Sequence, residues 1–108
     1  YIGMHRYGGI WQGDNLSWWS HLKMNVQMMP SLNMCGYLYT GADTGGLGAD
    51  VTEDLLLRWM EFAVFTPLFR NHSARGTRQQ EVYRFSHEER FLTKTSHMKN
   101  GFRSLKTQ

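Results

Sequence analysis

The stretch MCGYLYTGADTGGLG, residues 34–48, decides how the fold of this 108-residue chain is interpreted. Its first part, 34–40, is largely apolar, rich in aromatic residues and bounded by turn residues, which is typical of a short buried strand. A glycine-rich loop over 41–48 follows, with Asp43 near its beginning. The stretch therefore predicts a buried strand whose carboxyl end presents a carboxylate.

A similar unit precedes this strand. Residues 7–11 predict a first strand and residues 12–15 a turn. Asn15 or Ser17 is expected to cap the helix that follows, and Pro30 is expected to end it. The apolar residues of this helix recur at helical spacing, at Trp18, Leu22, Val26 and Met29.

A third unit follows the glycine-rich loop. Thr52 is expected to cap a second helix, with Glu53 and Asp54 in its first turn, where the helix dipole favours carboxylates. Its apolar face is predicted to consist of Leu55, Leu56, Trp59, Phe62 and Ala63. A third strand is predicted over 64–69, although Pro67 interrupts it. A capping-box pattern at Ser86 predicts a third helix. The alternation of strands and helices predicts an α/β fold with parallel strands.

A polar group follows each predicted strand at equal intervals. Asp14, Asp43 and His72 are separated by 29 residues each, close to the roughly thirty residues of a βαβ unit. The three groups are therefore expected at the carboxyl-end edge of one sheet, where ligands bind in parallel α/β proteins. They suit acid/base chemistry or a polyhydroxyl ligand, and Trp11 and Phe69 lie near enough in sequence to pack on a sugar ring. Each of the three is also an ordinary loop residue, so spacing alone leaves both interpretations open.

Composition excludes several classes of protein. The single cysteine, Cys35, excludes an internal disulfide framework and favours the cytoplasm. No run approaches the ~18 apolar residues of a membrane span. The sequence has no phosphate-loop lysine, no G-x-S-x-G motif and no metal-ligand spacing of histidine and cysteine, so no cofactor or metal is predicted. Residues 70–108 are basic, but their charges are scattered singly, which favours a solvated surface over nucleic-acid binding.

Three sequence blocks together resemble glycoside hydrolase family 31. Residues 6–15, RYGGIWQGDN, are similar to its R-Y-x-x-x-W-x-G-D-N block, and residues 36–46 are similar to its G-x-x-x-x-G-A-D-x-G-G block. The residues from Arg58 to Ser73 are similar to its R-W…F-x-P-x-x-R-N-H-S block. The resemblance covers about residues 1–85 and fades after about residue 92. Leu47 departs from the phenylalanine that family members often carry.

The resemblance implies a fold and a function. The family consists largely of retaining α-glucosidases whose catalytic domain is a (β/α)8 TIM barrel, and the three strands here would be its strands six to eight. Asp14 would be the general acid/base. Trp11 and His72 would bind the sugar in the −1 subsite. Asp43 and Arg70 would support the site through charge and hydrogen bonds. The expected substrate is an oligosaccharide or another α-glucoside, with no cofactor, no nucleic acid and no membrane.

The resemblance also implies that the site is incomplete within these residues. A retaining glycosidase needs a second carboxyl group as nucleophile, and the family's W-x-D-x-N-E-like block does not occur here. A TIM barrel takes about 250 residues, so residues 1–108 are expected to be a fragment of the catalytic barrel. Without the rest of the barrel, the isolated chain is expected to be inactive and prone to aggregation.

Two other functions remain open at this point. A non-catalytic or degenerate sugar-binding homologue would keep Trp11 and His72 but perform no hydrolysis. A small basic nucleic-acid binder would use residues 70–108, and steep salt dependence of binding would reveal it. The second alternative leaves Asp14, Asp43 and His72 without a role.

Overall fold

The computed structural model describes residues 2–85. Two helices, α1 (Trp19–Met34) and α2 (Glu53–Ala63), and two short strands, β1 (Ile10–Trp11) and β2 (Thr40–Gly41), make up its regular structure. Single 3-10 turns lie at Met4–Arg6 and Val82–Arg84. Within this part of the chain neither helix has the length and apolar character needed to cross a bilayer. The third helix predicted from Ser86 lies outside the described residues.

Strands β1 and β2 are parallel, as the alternation of elements predicts. Ile10 is the register partner of Thr40, and Trp11 is the partner of Gly41. The ladder continues past Trp11, because the Gln12 amide donates to the Gly41 carbonyl at 2.9 Å. Helix α1 connects the two strands as a crossover. The first strand is shorter than the predicted 7–11, since the Tyr7 amide instead donates to the Met4 carbonyl in the preceding turn.

The prediction that Pro30 ends α1 is wrong. Pro30 lies inside the helix, which continues to Met34. A proline removes one helical hydrogen bond, here the bond to the carbonyl four residues earlier. That carbonyl belongs to Val26, which lies on the exposed side of the helix, where water can replace the missing donor.

The predicted strand over 34–40 is also wrong, except at Thr40. Helix α1 ends in a Schellman motif, with Gly36 in the left-handed conformation at φ +91°. The Gly36 amide donates to the Asn33 carbonyl at 2.9 Å, and the Tyr37 amide donates to the Leu32 carbonyl at 3.0 Å. The apolar run is therefore divided between the end of a helix and its C-terminal cap.

The predicted caps of α1 are not the observed ones. Trp18 occupies the N-cap position and makes no side-chain capping bond. The Ser17 hydroxyl lies 2.9 Å from the Gly48 carbonyl oxygen, and the Asn15 amide faces the preceding turn. The buried face also differs from the predicted one: Leu22, Asn25 and Met29 are buried, whereas Trp18 and Val26 are exposed.

The prediction for α2 is confirmed. The Thr52 hydroxyl accepts a hydrogen bond from the Leu55 amide at 3.4 Å, and Glu53 and Asp54 occupy the first turn. Phe62 is partly buried and packs against the core. That core consists of Leu22, Ala42, Val51, Leu55, Leu56, Leu57 and Trp59.

The predicted third strand over 64–69 is wrong in its extent. After Ala63 the chain turns, and the Thr66 hydroxyl donates to the Ala63 carbonyl at 2.8 Å. Pro67 has no amide hydrogen to contribute to a ladder. The third position of the sheet is reduced to a single parallel bridge between Asp43 and Arg70.

Candidate active site

The predicted site residues follow the carboxyl ends of the parallel segments. Asp14 lies three residues beyond β1, Asp43 lies two residues beyond β2, and His72 lies two residues beyond the bridge at Arg70. Trp11, Asp14 and His72 are exposed, whereas Asp43 is fully buried. Within residues 2–85 the Asp14 carboxyl and the His72 imidazole make no described hydrogen bond, so both are available to a ligand.

Asp43 and Arg70 form an ion pair between a buried carboxylate and a partly exposed guanidinium. The Arg70 Nε donates to Asp43 Oδ1 at 2.7 Å, and its Nη2 lies 2.7 Å from the same oxygen. The Asp43 side chain is 1% exposed and that of Arg70 is 45% exposed. A buried carboxylate is tolerated when it is paired and hydrogen-bonded. The pair therefore fixes the chain immediately before His72 to the end of β2.

The glycine-rich loop 41–48 lies between the segments that carry Asp14 and His72. Gly46 has φ +86°. A Cβ atom added at Gly46 would lie 2.8 Å from the Leu16 carbonyl carbon and from the Ser17 amide nitrogen. A side chain at Gly46 has no space because the loop lies against the backbone that follows Asp14.

Leu47 joins the two flanking segments through its own backbone. Its amide donates to the Asn15 carbonyl at 2.7 Å, and its carbonyl accepts from the Ala74 amide at 2.9 Å. The Gly48 carbonyl in turn accepts from the Ser17 amide at 2.8 Å. The residue after Asp14 and the second residue after His72 are therefore tied to one loop residue.

Gln80 is a residue of the site that no sequence pattern predicts. This side chain is 2% exposed, and its Nε2 donates to the Gly46 carbonyl at 2.7 Å. Its backbone carbonyl accepts from the Asn71 side-chain amide at 3.0 Å. Gln80 thus closes the loop that begins at His72. It lies in a polar segment with no periodicity, so no sequence pattern marked it.

Asn25, a fully buried polar residue on α1, is also absent from the predicted core and site. It lies three residues after Leu22 and four before Met29, on the same helix face. That spacing was present in the sequence. The signal is a polar residue between two apolar positions on one face of the helix. The predicted face includes Val26 and therefore leaves Asn25 out.

Other polar features lie away from this edge. An open cleft of about 390 Å³ is lined by His5, Arg6, Tyr7, Gly8, Gly9 and Tyr39. Those residues precede β1 and β2, so the cleft lies at the amino ends of the strands.

On α2, the hydrogen bond and charge of Glu61 raise the pKa of Arg58 above its ordinary value. Within residues 2–85 no three His, Cys, Asp or Glu side chains are grouped to hold a metal ion.

Comparison with known proteins shows the family of this chain. Residues 1–101 match the family model for the TIM-barrel domain of glycosyl hydrolases family 31. Alpha-glucosidase 2 of Bacillus thermoamyloliquefaciens is 42% identical over 95 residues, which are 87% of this chain and 12% of that protein.

Solved structures agree with that match. The glucosidase II alpha subunit, in a crystal structure with alpha3-Glc2 bound, superposes with a TM-score of 0.79 at 32% identity, over 86% of this chain and 10% of that one. The Family 31 alpha-glucosidase from Bacteroides thetaiotaomicron superposes with a TM-score of 0.76 at 35% identity, over 85% of this chain and 16% of that one.

These comparisons support an α/β barrel fold, as the family resemblance implied. The chain spans between 10% and 16% of the length of the relatives named above. The parallel strands and the three sequence blocks agree with these matches. The chain therefore belongs to glycoside hydrolase family 31, within its TIM-barrel domain.

Proposed function

We propose that this chain forms part of the catalytic barrel of a retaining α-glucosidase and supplies its general acid/base, Asp14. Segments β1, β2 and the bridge at Arg70 correspond in this proposal to strands six, seven and eight. The parallel register of β1 and β2 supports it. So does the parallel bridge that adds a third segment beside β2. Active sites of TIM barrels lie at the carboxyl ends of such strands.

The observation that carries the proposal is the connection of both flanking segments to Leu47. Asn15, next to Asp14, and Ala74, two residues from His72, are hydrogen-bonded to the backbone of Leu47. An acid/base group and a sugar-binding imidazole must act on one sugar ring, so they need a common support. The glycine-rich loop provides that support.

The mechanism assigns a role to each residue. Asp14 donates a proton to the leaving glycosidic oxygen as a nucleophilic carboxylate attacks the anomeric carbon, and then removes a proton from the attacking water. The nucleophile, about 5–5.5 Å from Asp14, is an aspartate of another part of the barrel. His72 and Trp11 bind the sugar in the −1 subsite. Asp43 and Arg70 hold the segment that carries His72.

The substrate class follows from the relatives. Alpha-glucosidase 2 of Bacillus thermoamyloliquefaciens is named for this activity, and the glucosidase II alpha subunit was solved with alpha3-Glc2 bound. We therefore propose an α-linked glucoside or oligosaccharide as the substrate.

The test uses the full-length product, by which we mean the longest polypeptide encoded by the reading frame that contains these residues. Asp14→Asn is compared with Asp54→Asn, which alters an exposed carboxylate on α2. The substrates are maltose, whose leaving group needs protonation, and 2,4-dinitrophenyl α-glucoside, whose leaving group does not. Asp14→Asn is expected to lower kcat/KM for maltose by roughly 10²–10⁴-fold, the usual contribution of a general acid, and to change it little for the dinitrophenyl substrate.

A further measurement identifies the acid/base directly. Azide is expected to restore turnover of the dinitrophenyl substrate by Asp14→Asn, because it attacks the covalent intermediate without needing a base. The product is α-glucosyl azide. Equal loss on both substrates, or no effect of Asp14→Asn, would refute the assignment. Binding of α-glucosides without hydrolysis by the unaltered protein would favour the non-catalytic homologue.

If the full-length product does not fold, Alpha-glucosidase 2 of Bacillus thermoamyloliquefaciens is used as host. Its aligned segment is replaced by that of this chain, and the same variants are compared. Activity of the chimera with the expected dependence on Asp14 supports the proposal. A folded chimera that is inactive contradicts it.

A further inference from the structure

Asn25 is a polar residue in a fully buried position of α1. It shares the buried face of the helix with Leu22 and Met29. A buried amide costs free energy unless it is hydrogen-bonded. Asn25 Oδ1 accepts from the Asn15 Nδ2 at 3.4 Å, in a contact shielded from solvent. The helix thus reaches the residue that directly follows Asp14.

Asn15 connects this contact to the backbone on the other side of Asp14. Its Nδ2 lies 3.1 Å from the Gln12 carbonyl oxygen and 3.2 Å from the Gly13 carbonyl oxygen. Asn15 is itself 3% exposed. The peptide groups before Asp14 and the side chain after it therefore form one hydrogen-bonded unit.

Gly13 makes such a restraint necessary. It has φ +81°, and nothing lies within 4 Å of the place a Cβ atom would take. A glycine has several accessible backbone conformations, and the place of a side chain at Gly13 is open. The bonds from Asn15 remove that freedom, and Asn25 limits where the Asn15 amide can point.

A second contact ties the same turn to the same helix. The Gln12 Nε2 donates to the Met29 sulfur at 3.9 Å. Asn25 and Met29 lie one helical turn apart on the buried face. The turn that contains Asp14 is thus held by α1 at two points, one before and one after Asp14.

We infer that Asn25, acting through Asn15, is a positioning residue for the carboxyl group of Asp14. The inference rests on the proposed function, because it concerns the proton transfer that Asp14 performs. A misplacement of about 1 Å can lower the rate of an enzymatic reaction about 10²-fold. A fully buried helix residue therefore sets the efficiency of acid catalysis by Asp14.

The test separates positioning of the acid from general damage to the fold. General damage lowers kcat/KM for all substrates together, whereas a displaced acid affects substrates whose leaving group needs a proton. Asn25→Leu removes the acceptor at similar volume and adds no charge. Gln27→Leu makes the same polar-to-apolar change at an exposed position of α1 and serves as the matched control.

For the full-length product, Asn25→Leu is expected to lower kcat/KM about tenfold for maltose and less than twofold for 2,4-dinitrophenyl α-glucoside. Gln27→Leu is expected to keep the ratio of the two values found in the unaltered protein. If Asn25→Leu does not fold, Asn25→Ala removes the acceptor without added volume and is compared in its place.

A ratio unchanged by removal of the acceptor overturns the inference, as does an equal loss on both substrates. Asp14→Asn is measured in the same series. If Asp14→Asn itself shows no dependence on the leaving group, the proposed function fails. If Asp14→Asn shows it and the Asn25 variants do not, the role of Asn25 alone is rejected.

Discussion

Asp43 and Arg70 are partners in two ways: their backbones form a parallel bridge, and their side chains meet at 2.7 Å. The bridge brings the segment that contains Arg70 beside β2, and the ion pair holds it there. Asp43 is fully buried, and Arg70 is the side chain described as its partner within residues 2–85. The pair is therefore a point at which a single substitution has a large effect.

Arg70→Met is expected to lower the free energy of unfolding by about 1–3 kcal/mol, because it removes the hydrogen-bonded partner of a buried carboxylate, while solvent at the exposed guanidinium limits the loss. Urea denaturation of the full-length product measures the loss. The double variant Asp43→Asn with Arg70→Met removes the charge as well and is expected to recover part of the stability. A loss below about 1 kcal/mol for Arg70→Met, typical of exposed ion pairs, would show that the burial of Asp43 adds nothing to the pair.

Gly46→Ala is expected to be more destabilising than Gly76→Ala. Both glycines have similar positive φ angles, +86° and +90°, so each substitution brings about 1–2 kcal/mol of conformational strain. Only Gly46 faces backbone atoms at 2.8 Å, whereas nothing lies within 4 Å at Gly76. Overpacking adds about 1–3 kcal/mol at Gly46. Urea denaturation of the two variants compares them, and equal losses would show that the loop yields to the added methyl group.

Gln80→Leu is expected to destabilise the protein by about 1–3 kcal/mol, since the buried Gly46 carbonyl loses its donor from Gln80. In the proposed site it also releases the segment that begins at His72, so KM for maltose is expected to rise more than kcat falls. Steady-state kinetics and urea denaturation provide both values. Gln79→Leu, at the exposed neighbouring position, is the control and is expected to change neither.

Thr52→Ala is expected to lower the free energy of unfolding by about 0.5–1 kcal/mol, at the lower end of the range for N-cap residues. The bond from the Leu55 amide to the Thr52 hydroxyl is long, at 3.4 Å, which favours the lower end. Thr52→Ser keeps a hydroxyl at the same position and is expected to retain the stability of the unaltered protein. Equal losses for alanine and serine would indicate that the Thr52 methyl group, rather than its hydroxyl, supports the helix.

The sequence predicted those elements whose signals are local. Helix α2 has a capping threonine, acidic residues in its first turn and an apolar face, and the structure contains all three. The parallel pairing of β1 and β2 followed from the alternation of elements and was confirmed. The equal spacing of Asp14, Asp43 and His72 placed them after parallel segments. Their catalytic and binding roles stay predictions.

Predictions failed where one signal was weighed without its surroundings. The prediction that Pro30 ends α1 fails because the hydrogen bond that proline removes lies on the exposed side of the helix. The strand predicted over 34–40 includes Gly36, although a glycine after a helical stretch is also the residue type that C-terminal caps require. The strand predicted over 64–69 includes Pro67, whereas the observed backbone pairing with Asp43 is at Arg70. Asn25 and Gln80 were missed because their importance lies in contacts with distant residues.

Leu47 and Gly46 have opposite consequences for evolutionary change. Both hydrogen bonds described for Leu47 come from its backbone, so any residue except proline at this position retains them. Gly46 has no such freedom, since any side chain there meets the backbone of Leu16 and Ser17. A lineage can therefore vary residue 47, and with it the surroundings of the site, without moving Asp14 or His72. Variation at residue 46 requires a compensating change some thirty positions earlier in the chain.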